Sequence, residues 1–132
     1  MVEAVGIALF NEQKEIFLAK RPQGKVLANK WEFPGGKKEQ GESIQECILR
    51  EMQEELCIQV HLKEYLGKEE FHYDYGHIAL HLFMGVQDKN TPIILVEHQD
   101  AKWLHVDEIT NLDIAQLAFP FIPKIKKFLK SC

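Results

Sequence analysis

Alternating and continuous runs of apolar residues predict a series of β-strands along the chain. The first run, residues 4–10, is almost wholly apolar, and residues 15–20 follow a short turn as its predicted hairpin partner. Residues 77–86 alternate and then become apolar, a pattern typical of a central strand. Further extended segments are predicted at residues 31–33, 58–66, 70–75 and 101–104, with loops at residues 11–14 and 23–29 and a stop at Pro34, Gly35 and Gly36.

Helical spacing of apolar residues predicts two main helices and one short one. Ser43 is followed three positions later by Glu46, which is a capping-box pattern for a helix that begins there. Its apolar positions are Ile44, Cys47, Ile48, Met52 and Leu56. A short helix is predicted at residues 106–109. An amphipathic helix is predicted at residues 120–130, with a buried side made of Phe121, Ile122, Ile125, Phe128 and Leu129. Strands and helices in this order predict an α/β or α+β fold with a mixed sheet.

Length, charge and cysteine content narrow the class of protein. The 132 residues fit one domain over residues 1–132, and the formal net charge of −4 argues against duplex nucleic acid as a partner. The same net charge does not exclude a small anionic ligand. No apolar run is long enough to span a membrane. Three cysteines without a CxxC pair, and no signal peptide, predict free thiols in a reducing cytoplasm. We expect a cytoplasmic monomer.

Three carboxylates are predicted to share one face of the first helix. Glu51, Glu54 and Glu55 are spaced by three and four residues, beside Arg50. Like charges at this spacing repel, so the cluster favours a neutralising partner, and Mg²⁺ prefers carboxylate oxygens, water and phosphate. No His or Cys stands among these acids, which disfavours zinc, and the six histidines form no metal motif. On charge alone, a solvated acidic helix face explains the same pattern.

The wider spacing decides between these interpretations. Gly36 is followed after five residues by Glu42, and after seven more by the stretch Arg50-Glu-Met-Gln-Glu-Glu-Leu-Cys-Ile58. This segment resembles the Nudix box, G-x5-E-x7-R-E-U-x-E-E-x-G-U, in which U is a bulky aliphatic residue. Every fixed position matches except that Cys57 stands where the box has Gly. So many identities at fixed spacing are far more specific than a lone glycine motif.

The resemblance extends over essentially the whole chain. Its N-terminal segment with Arg21, the stretch from Ala28 to Lys37, and Glu97 six residues before Trp103 are similar to the MutT-like branch of the Nudix hydrolases. The resemblance implies an α/β/α sandwich with a mixed β-sheet between helices. It also implies hydrolysis of a nucleoside triphosphate to a monophosphate and pyrophosphate with Mg²⁺, for which Mn²⁺ can substitute. 8-oxo-dGTP is the expected substrate, in sanitation of the nucleotide pool for DNA replication and repair.

The resemblance also implies roles for individual residues. The expected catalytic residues are Glu51, Glu54, Arg50 and Glu97, with Glu51 as base or metal bridge. The expected metal ligands are Gly35 through its carbonyl, Glu51, Glu54, Glu55 and Glu97, with Glu42 in support. The expected substrate-binding residues are Arg21, Glu32, Phe33, Pro34, Gly35, Lys37 and Ala118. His77 and His81 share a predicted strand face; a position at the pocket edge is open for them, but the favoured interpretation is an ordinary structural or surface role.

Two positions depart from the family pattern. Cys57 stands at the end of the helix, where a left-handed conformation costs a residue other than Gly about 1 kcal/mol, and we expect the protein to tolerate it. Ala118 stands where MutT proteins that act on oxidised guanine carry Asn, and alanine cannot make an amide contact to a purine edge. A gap in the alignment would bring Gln116 or Asn111 to this position instead.

Three alternatives to this interpretation stay open, and Ala118 bears on the first of them. One is a CTP or 5-substituted dCTP pyrophosphohydrolase of the same branch. A second, from another class, is a catalytically silent nucleotide-binding regulator with the same fold, although the acids and Arg50 are all present. A third keeps the enzyme and changes the substrate to a dinucleoside polyphosphate or a nucleotide sugar, for which the chain shows no extra domain.

Overall fold

The described residues form seven strands, two α-helices and two 3₁₀ helices. The computed structural model describes residues 1–25, 28–74 and 76–132. The strands are β1 (Val2–Leu9), β2 (Glu15–Lys20), β3 (Trp31–Glu32), β4 (Gly35–Lys37), β5 (Val60–Tyr73), β6 (Gly76–Gln87) and β7 (Asp100–His105). The helices are α1 (Ile44–Leu56) and α2 (Ile122–Lys130), with 3₁₀ helices at Val106–Asn111 and Gln116–Phe121. None of the helices in these described parts has the length and apolarity needed to cross a membrane.

The strands form two sheets. The larger sheet has the order β4-β1-β6-β5, in which β1 and β6 run parallel and the other pairs are antiparallel. The smaller sheet has the order β3-β2-β7 and is antiparallel throughout. The prediction that residues 77–86 form a central strand is confirmed, because β6 lies between β1 and β5.

The predicted hairpin between the first two strands is wrong. β1 and β2 belong to different sheets, and the described residues join them by one isolated bridge, between Phe10 and Ile16. Each strand lies between two neighbours in its own sheet, and both are buried on both faces. The turn between them, with Lys14 in the left-handed region at φ 60°, carries the chain from one sheet to the other.

The first helix begins and ends as the sequence predicts. The Ser43 hydroxyl accepts from the Glu46 N–H at 3.0 Å, and the Glu46 carboxylate accepts from the Ser43 N–H at 2.7 Å. At the other end Cys57 has φ 58° and ψ 35°, which is the left-handed conformation. The N–H groups of Cys57 and Ile58 donate to carbonyls of the last turn, as in a Schellman ending.

Two hydrophobic clusters give the molecule its layers. On one side of the sheets, α1 packs its buried residues Cys47, Ile48, Met52 and Leu56 against alternate residues of β1 and β2. On the other side, α2 and the second 3₁₀ helix pack against the opposite faces of the same strands, with residues that include Ala118, Phe121, Ile125 and Leu129. The predicted α/β/α sandwich with a mixed sheet is confirmed.

Several element boundaries differ from the prediction. Gly35–Lys37 is a strand rather than a stop, since it pairs with β1 along the sheet edge. Residues 58–66 and 70–75 belong largely to one long strand, β5, whose register shifts around Tyr65. The last helix begins at Ile122 because Pro120 lies in a preceding 3₁₀ helix. Of the predicted loop and strand, Val26, Leu27 and Tyr75 lie outside the described residues.

Candidate active site

Arg50 is the centre of an ion-pair network on the first turns of α1. Its Nε and Nη2 donate to the two carboxylate oxygens of Glu42 at 3.0 and 2.7 Å. Nη1 donates to Glu51 at 3.2 Å and to Glu54 at 3.1 Å, and Nη2 also donates to the Lys37 carbonyl at 3.1 Å. The hydrogen bonds from Arg50 lower the pKa of Glu42 to about 2, and they raise the pKa of the guanidinium above its usual value. Arg50 therefore fixes the orientation of carboxylates from the loop and the helix together.

Glu51 and Glu55 are the more buried acids of this cluster. Burial raises the pKa of Glu55 to about 8, and the charges of Glu51 and Glu32 add to that rise. The Gly35 N–H donates to Glu55 at 3.2 Å, which lowers the pKa in part. Burial also raises the pKa of Glu51, with the charge of Glu54 adding to it and Arg50 opposing it. Two neighbouring carboxylates that resist ionisation are a suitable place for a cation.

Two glycines let strand β4 approach both the sheet and the helix. A Cβ on Gly36 would overlap the carboxylate of Glu51, so this position has room for hydrogen alone. A Cβ on Gly35 would overlap the carbonyl oxygen of Val5 in the neighbouring strand. The pair explains why the sequence has Gly-Gly here: the first glycine serves strand pairing and the second leaves space for an acid.

The loop before β7 brings a fourth acid towards the cluster. The Ile94 N–H donates to the Leu56 carbonyl at 2.9 Å, and the Val96 N–H donates to the Glu55 carbonyl at 3.1 Å. These bonds satisfy carbonyls at the end of α1 and hold the loop against it. The charge of Glu97, the next residue, raises the pKa of both Glu51 and Glu55, so its carboxylate lies within electrostatic range of them.

The donor set fits a hard divalent cation. In the described parts of the chain, no three His, Cys, Asp or Glu side chains stand close enough together to form a ready-made metal centre. Arg50 engages Glu51 and Glu54, while Glu55 is held by the Gly35 N–H. The acids that repel one another here offer oxygen ligands alone, the kind that Mg²⁺ or Mn²⁺ takes.

A cavity of about 470 Å³ is lined by Gly35 and Gly36, the residues that Glu55 and Glu51 contact, but the carboxylates of the cluster are not part of its lining. Its polar lining includes Arg21, Lys25, Glu32, Lys37 and His77, and its apolar lining comes mainly from β1, β6 and the second 3₁₀ helix. A space of this size is sufficient for a nucleotide-sized ligand. Three cationic side chains on its wall favour an anion, although the molecule as a whole is acidic.

The structure brings most of the expected substrate-binding residues to the cavity wall. Six of the seven line it: Arg21, Glu32, Phe33, Gly35, Lys37 and Ala118. The seventh, Pro34, lies between two lining residues, and its carbonyl accepts from the Ile7 N–H at 3.0 Å. Ala118 is buried in the wall, whereas Gln116 and Asn111 are exposed and are not among the lining residues.

Two residues at the site, Lys25 and His98, were not predicted from the sequence. Lys25 lines the cavity, and so does His77, for which a position at the pocket edge was the less favoured alternative to a structural or surface role. His98 is buried, and its Nε2 lies 3.0 Å from Glu32 Oε2. The available signal was that His98 directly follows Glu97, but neither its burial nor its partner, 66 residues away, can be found from local pattern.

Several known proteins are similar to this chain in sequence and in fold. A profile of the NUDIX domain matches residues 2–125. The chain is 34% identical over 124 residues to 8-oxo-dGTP diphosphatase of Escherichia coli strain K12, covering 94% of this chain and 95% of that protein. It is 32% identical over 122 residues to CTP pyrophosphohydrolase of the same strain, covering 92% and 89%. The solution structure of the MutT protein of methicillin-resistant Staphylococcus aureus 252 covers 94% of both chains, with a TM-score of 0.76 and 31% identity.

Fold and site together define a hydrolase in which an acidic helix lies beside a ligand-sized cavity. The chain belongs to the NUDIX family of hydrolases. Members of this family generally use divalent metal cations, in agreement with the oxygen donors found here.

Proposed function

We propose that the protein is a Mg²⁺-dependent nucleoside triphosphate pyrophosphohydrolase formed by one domain over residues 1–132. Its substrate is 8-oxo-dGTP, which it converts to 8-oxo-dGMP and pyrophosphate in a cytoplasmic nucleotide pool, acting as a monomer without duplex nucleic acid. The observation that carries the proposal is the contact of α1 with strand β4: Glu55 accepts from the Gly35 N–H and Glu51 packs against Gly36. Both glycines line a cavity whose wall also carries Arg21, Lys25 and Lys37. The relative with the printed name 8-oxo-dGTP diphosphatase supports the choice of substrate.

Some residues of the site bind the substrate, and others hold the metal. Arg21 and Lys37 donate to phosphate oxygens, which they suit because they carry donors and no acceptor. Arg50 holds Glu51 and Glu54 in fixed orientations, while the Gly35 N–H holds Glu55. Glu51, Glu54, Glu55, Glu97 and the Gly35 carbonyl would hold the metal. The metal would neutralise the triphosphate and lower the pKa of a bound water.

Ala118 favours a second candidate substrate. A buried methyl group in the cavity wall offers no hydrogen bond to a purine edge, so a pyrimidine nucleotide such as CTP or 5-substituted dCTP is the alternative. The relative with the printed name CTP pyrophosphohydrolase, 32% identical, supports it. Comparison of pyrophosphate release from 8-oxo-dGTP, dGTP, CTP and 5-methyl-dCTP at matched concentrations decides between the two.

The carboxylate assignment has its own test. Glu54→Gln keeps the size of the side chain and removes the charge, so turnover with Mg²⁺ should fall at least about 100-fold. Glu64→Gln, an exposed position on β5 outside the cavity lining, is the matched control and should leave turnover unchanged. Undiminished pyrophosphate release by the Glu54 variant would refute the assignment. Tight nucleotide binding by the wild type without turnover, in Mg²⁺ or Mn²⁺, would instead indicate a silent regulator.

A further inference from the structure

His98 is a buried histidine whose two ring nitrogens have different surroundings. Its side chain is 3% exposed, and Nε2 lies 3.0 Å from Glu32 Oε2. Nδ1 is buried, and no hydrogen-bond partner for it is found among the described residues. Because an ionised carboxylate only accepts, Nε2 must carry the proton and donate it to Glu32. Nδ1 is then a bare acceptor rather than a buried N–H donor without a partner.

The Glu32 carboxylate connects His98 to Arg21 in the cavity wall. While Oε2 accepts from His98, Oε1 accepts from Arg21 Nη1 at 3.0 Å. Glu32 and Arg21 both line the cavity, whereas His98 lies behind them. With one oxygen held from behind, the carboxylate has one rotation in which the other oxygen faces the guanidinium. The His98 bond therefore sets the position of Arg21 through Glu32.

The next residue holds the same segment through different atoms. Gln99 Nε2 donates to the Arg21 carbonyl at 2.7 Å and to Asn29 Oδ1 at 2.7 Å. The Gln99 N–H donates to the Lys20 carbonyl at 3.1 Å. His98 thus holds the side chain of Arg21 indirectly, and Gln99 holds its backbone directly. Both contacts come from the segment that also carries Glu97.

We propose that His98 is a positioning residue for the substrate: in its Nε2–H form it orients Glu32, and through Glu32 it places the Arg21 guanidinium for a nucleotide phosphate. The inference rests on the proposed function. It assigns His98 to substrate binding and not to the chemical step, so its loss raises KM more than it lowers kcat.

Three substitutions at His98 separate a hydrogen bond from a packing role. His98→Leu removes the donor and fills the space, and it should raise KM about tenfold with kcat changed less than about twofold. His98→Gln places an amide donor near the position of Nε2 and should restore KM to within about threefold of the wild type. His98→Asn places its donor nearer the position of Nδ1 and should not restore it. Equal KM values for all three variants would overturn the proposal.

The chain offers a matched control for the same substitution. His81 is also buried, and its Nε2 lies 3.1 Å from Glu3 Oε1, but neither residue lines the cavity. His81→Leu therefore removes a histidine–glutamate pair of similar geometry, and KM should not change. Thermal unfolding of each variant shows that it is folded at the assay temperature. A rise in KM in the control as large as that in His98→Leu would assign the effect to general destabilisation.

Two further measurements do not depend on turnover. In metal-free protein, ¹⁵N NMR of the imidazole should show the Nε2–H form at His98, and an Nδ1–H form would overturn the proposal. Calorimetry should show that His98→Leu and Glu32→Ala each weaken binding of 8-oxo-dGMP or CMP, and that the double variant binds no more weakly than Glu32→Ala alone. Additive losses would contradict it. Absence of hydrolysis by the wild type would refute the proposed function alone, because the His98 tautomer and the binding of product are measured without turnover.

Discussion

Cys57 holds a backbone conformation that its side chain disfavours. In the left-handed region at φ 58°, the Cβ of any residue except glycine crowds the following carbonyl. The residue nevertheless completes the end of α1, because its N–H donates to the Gln53 carbonyl at 3.2 Å. The cost is thus one of backbone strain at a position that lies at the helix end, away from the Arg50 network.

Removal of that Cβ should stabilise the protein without changing the chemistry. We expect Cys57→Gly to raise the free energy of unfolding by about 1 kcal/mol, as measured by urea titration with an unchanged slope. Turnover should stay within about threefold of the wild type. Cys57→Ala is the matched control: it removes the thiol and keeps the Cβ, so it should bring no such gain. A rise in turnover of several decades in the glycine variant would contradict this account.

Ala118 gives a second prediction for a single residue. We expect Ala118→Asn, which adds an amide to the cavity wall, to raise the preference for 8-oxo-dGTP over CTP at least about tenfold in kcat/KM. Because Ala118 is buried, the larger side chain should also cost about 1–3 kcal/mol of stability. Ala118→Leu has the same branched skeleton as Asn without the amide and serves as the control. The same change of preference in both variants would show that volume alone decides.

At the scale of elements, the close approach of β4 to both β1 and α1 depends on two adjacent glycines with separate roles. Gly36→Ala places a Cβ where the Glu51 carboxylate lies, so turnover should fall about 100-fold while the protein stays folded. Gly35→Ala places a Cβ against the Val5 carbonyl, so it should lower the free energy of unfolding by about 1–3 kcal/mol. Steady-state kinetics and urea titration of both variants check the division. Similar losses of stability would refute it.

The elements that the sequence predicts well are those set by local chemistry. Ser43 and Glu46 cap α1 through contacts three residues apart, and the strand at residues 15–20 agrees with β2 in both bounds. The pairing of β1 with β4 and β6 could not be predicted, because a strand buried on both faces has no local preference for a partner. The predicted hairpin failed for this reason, although both of its strands exist.

The same distinction applies to the candidate site. The spacing of Glu51 and Glu54 is enough to place both beside Arg50, since residues on one helix turn are neighbours. The position of Glu97 depends on backbone bonds from its loop to the end of α1, and no local pattern encodes them. The pair of His98 and Glu32 depends on the contact between two distant segments and was missed.

At the scale of the whole molecule, charge is distributed unevenly. From Gly36 to Ile58 there are six Glu against two Lys and one Arg, while the last thirteen residues carry four Lys and no acid. The net charge of −4 therefore averages an acidic helix and a basic C-terminal helix that lie on opposite sides of the sheets. The acidic segment contains Glu42 and Glu55, whose shifted pKa values make the stability of the protein depend on pH.

Two perturbed acids predict the shape of that dependence. The pKa of Glu55, about 8, exceeds its usual value of 4.5, so the metal-free protein should lose stability as pH rises from about 4.5 through 8. The pKa of Glu42, about 2, lies below that value, so stability should also be lost as pH falls from about 4.5 to 2. From these two groups, we expect the stability of the metal-free protein to be highest near pH 4.5. Thermal unfolding across the pH range measures this.

Mg²⁺ should reverse the loss on the alkaline side, because it stabilises the ionised form of Glu55. At a concentration about 100 times its Kd, it should add about 2.7 kcal/mol to the free energy of unfolding. Glu55→Gln is the control: it removes the decline between pH 4.5 and 8 in the absence of metal. A decline of the same size in this variant would show that other groups cause it.

The two hydrophobic clusters lie on opposite faces of the sheets and share no residue: α1 with its acids rests on one, and Ala118 with α2 rests on the other. A mutation of Ala118 repacks the second cluster and leaves the residues that pack against α1 in place. After gene duplication, one copy can therefore acquire a new nucleotide preference by a few substitutions while it inherits the hydrolytic machinery intact. Separate clusters make the choice of substrate and the chemistry two independently evolving traits of one small protein.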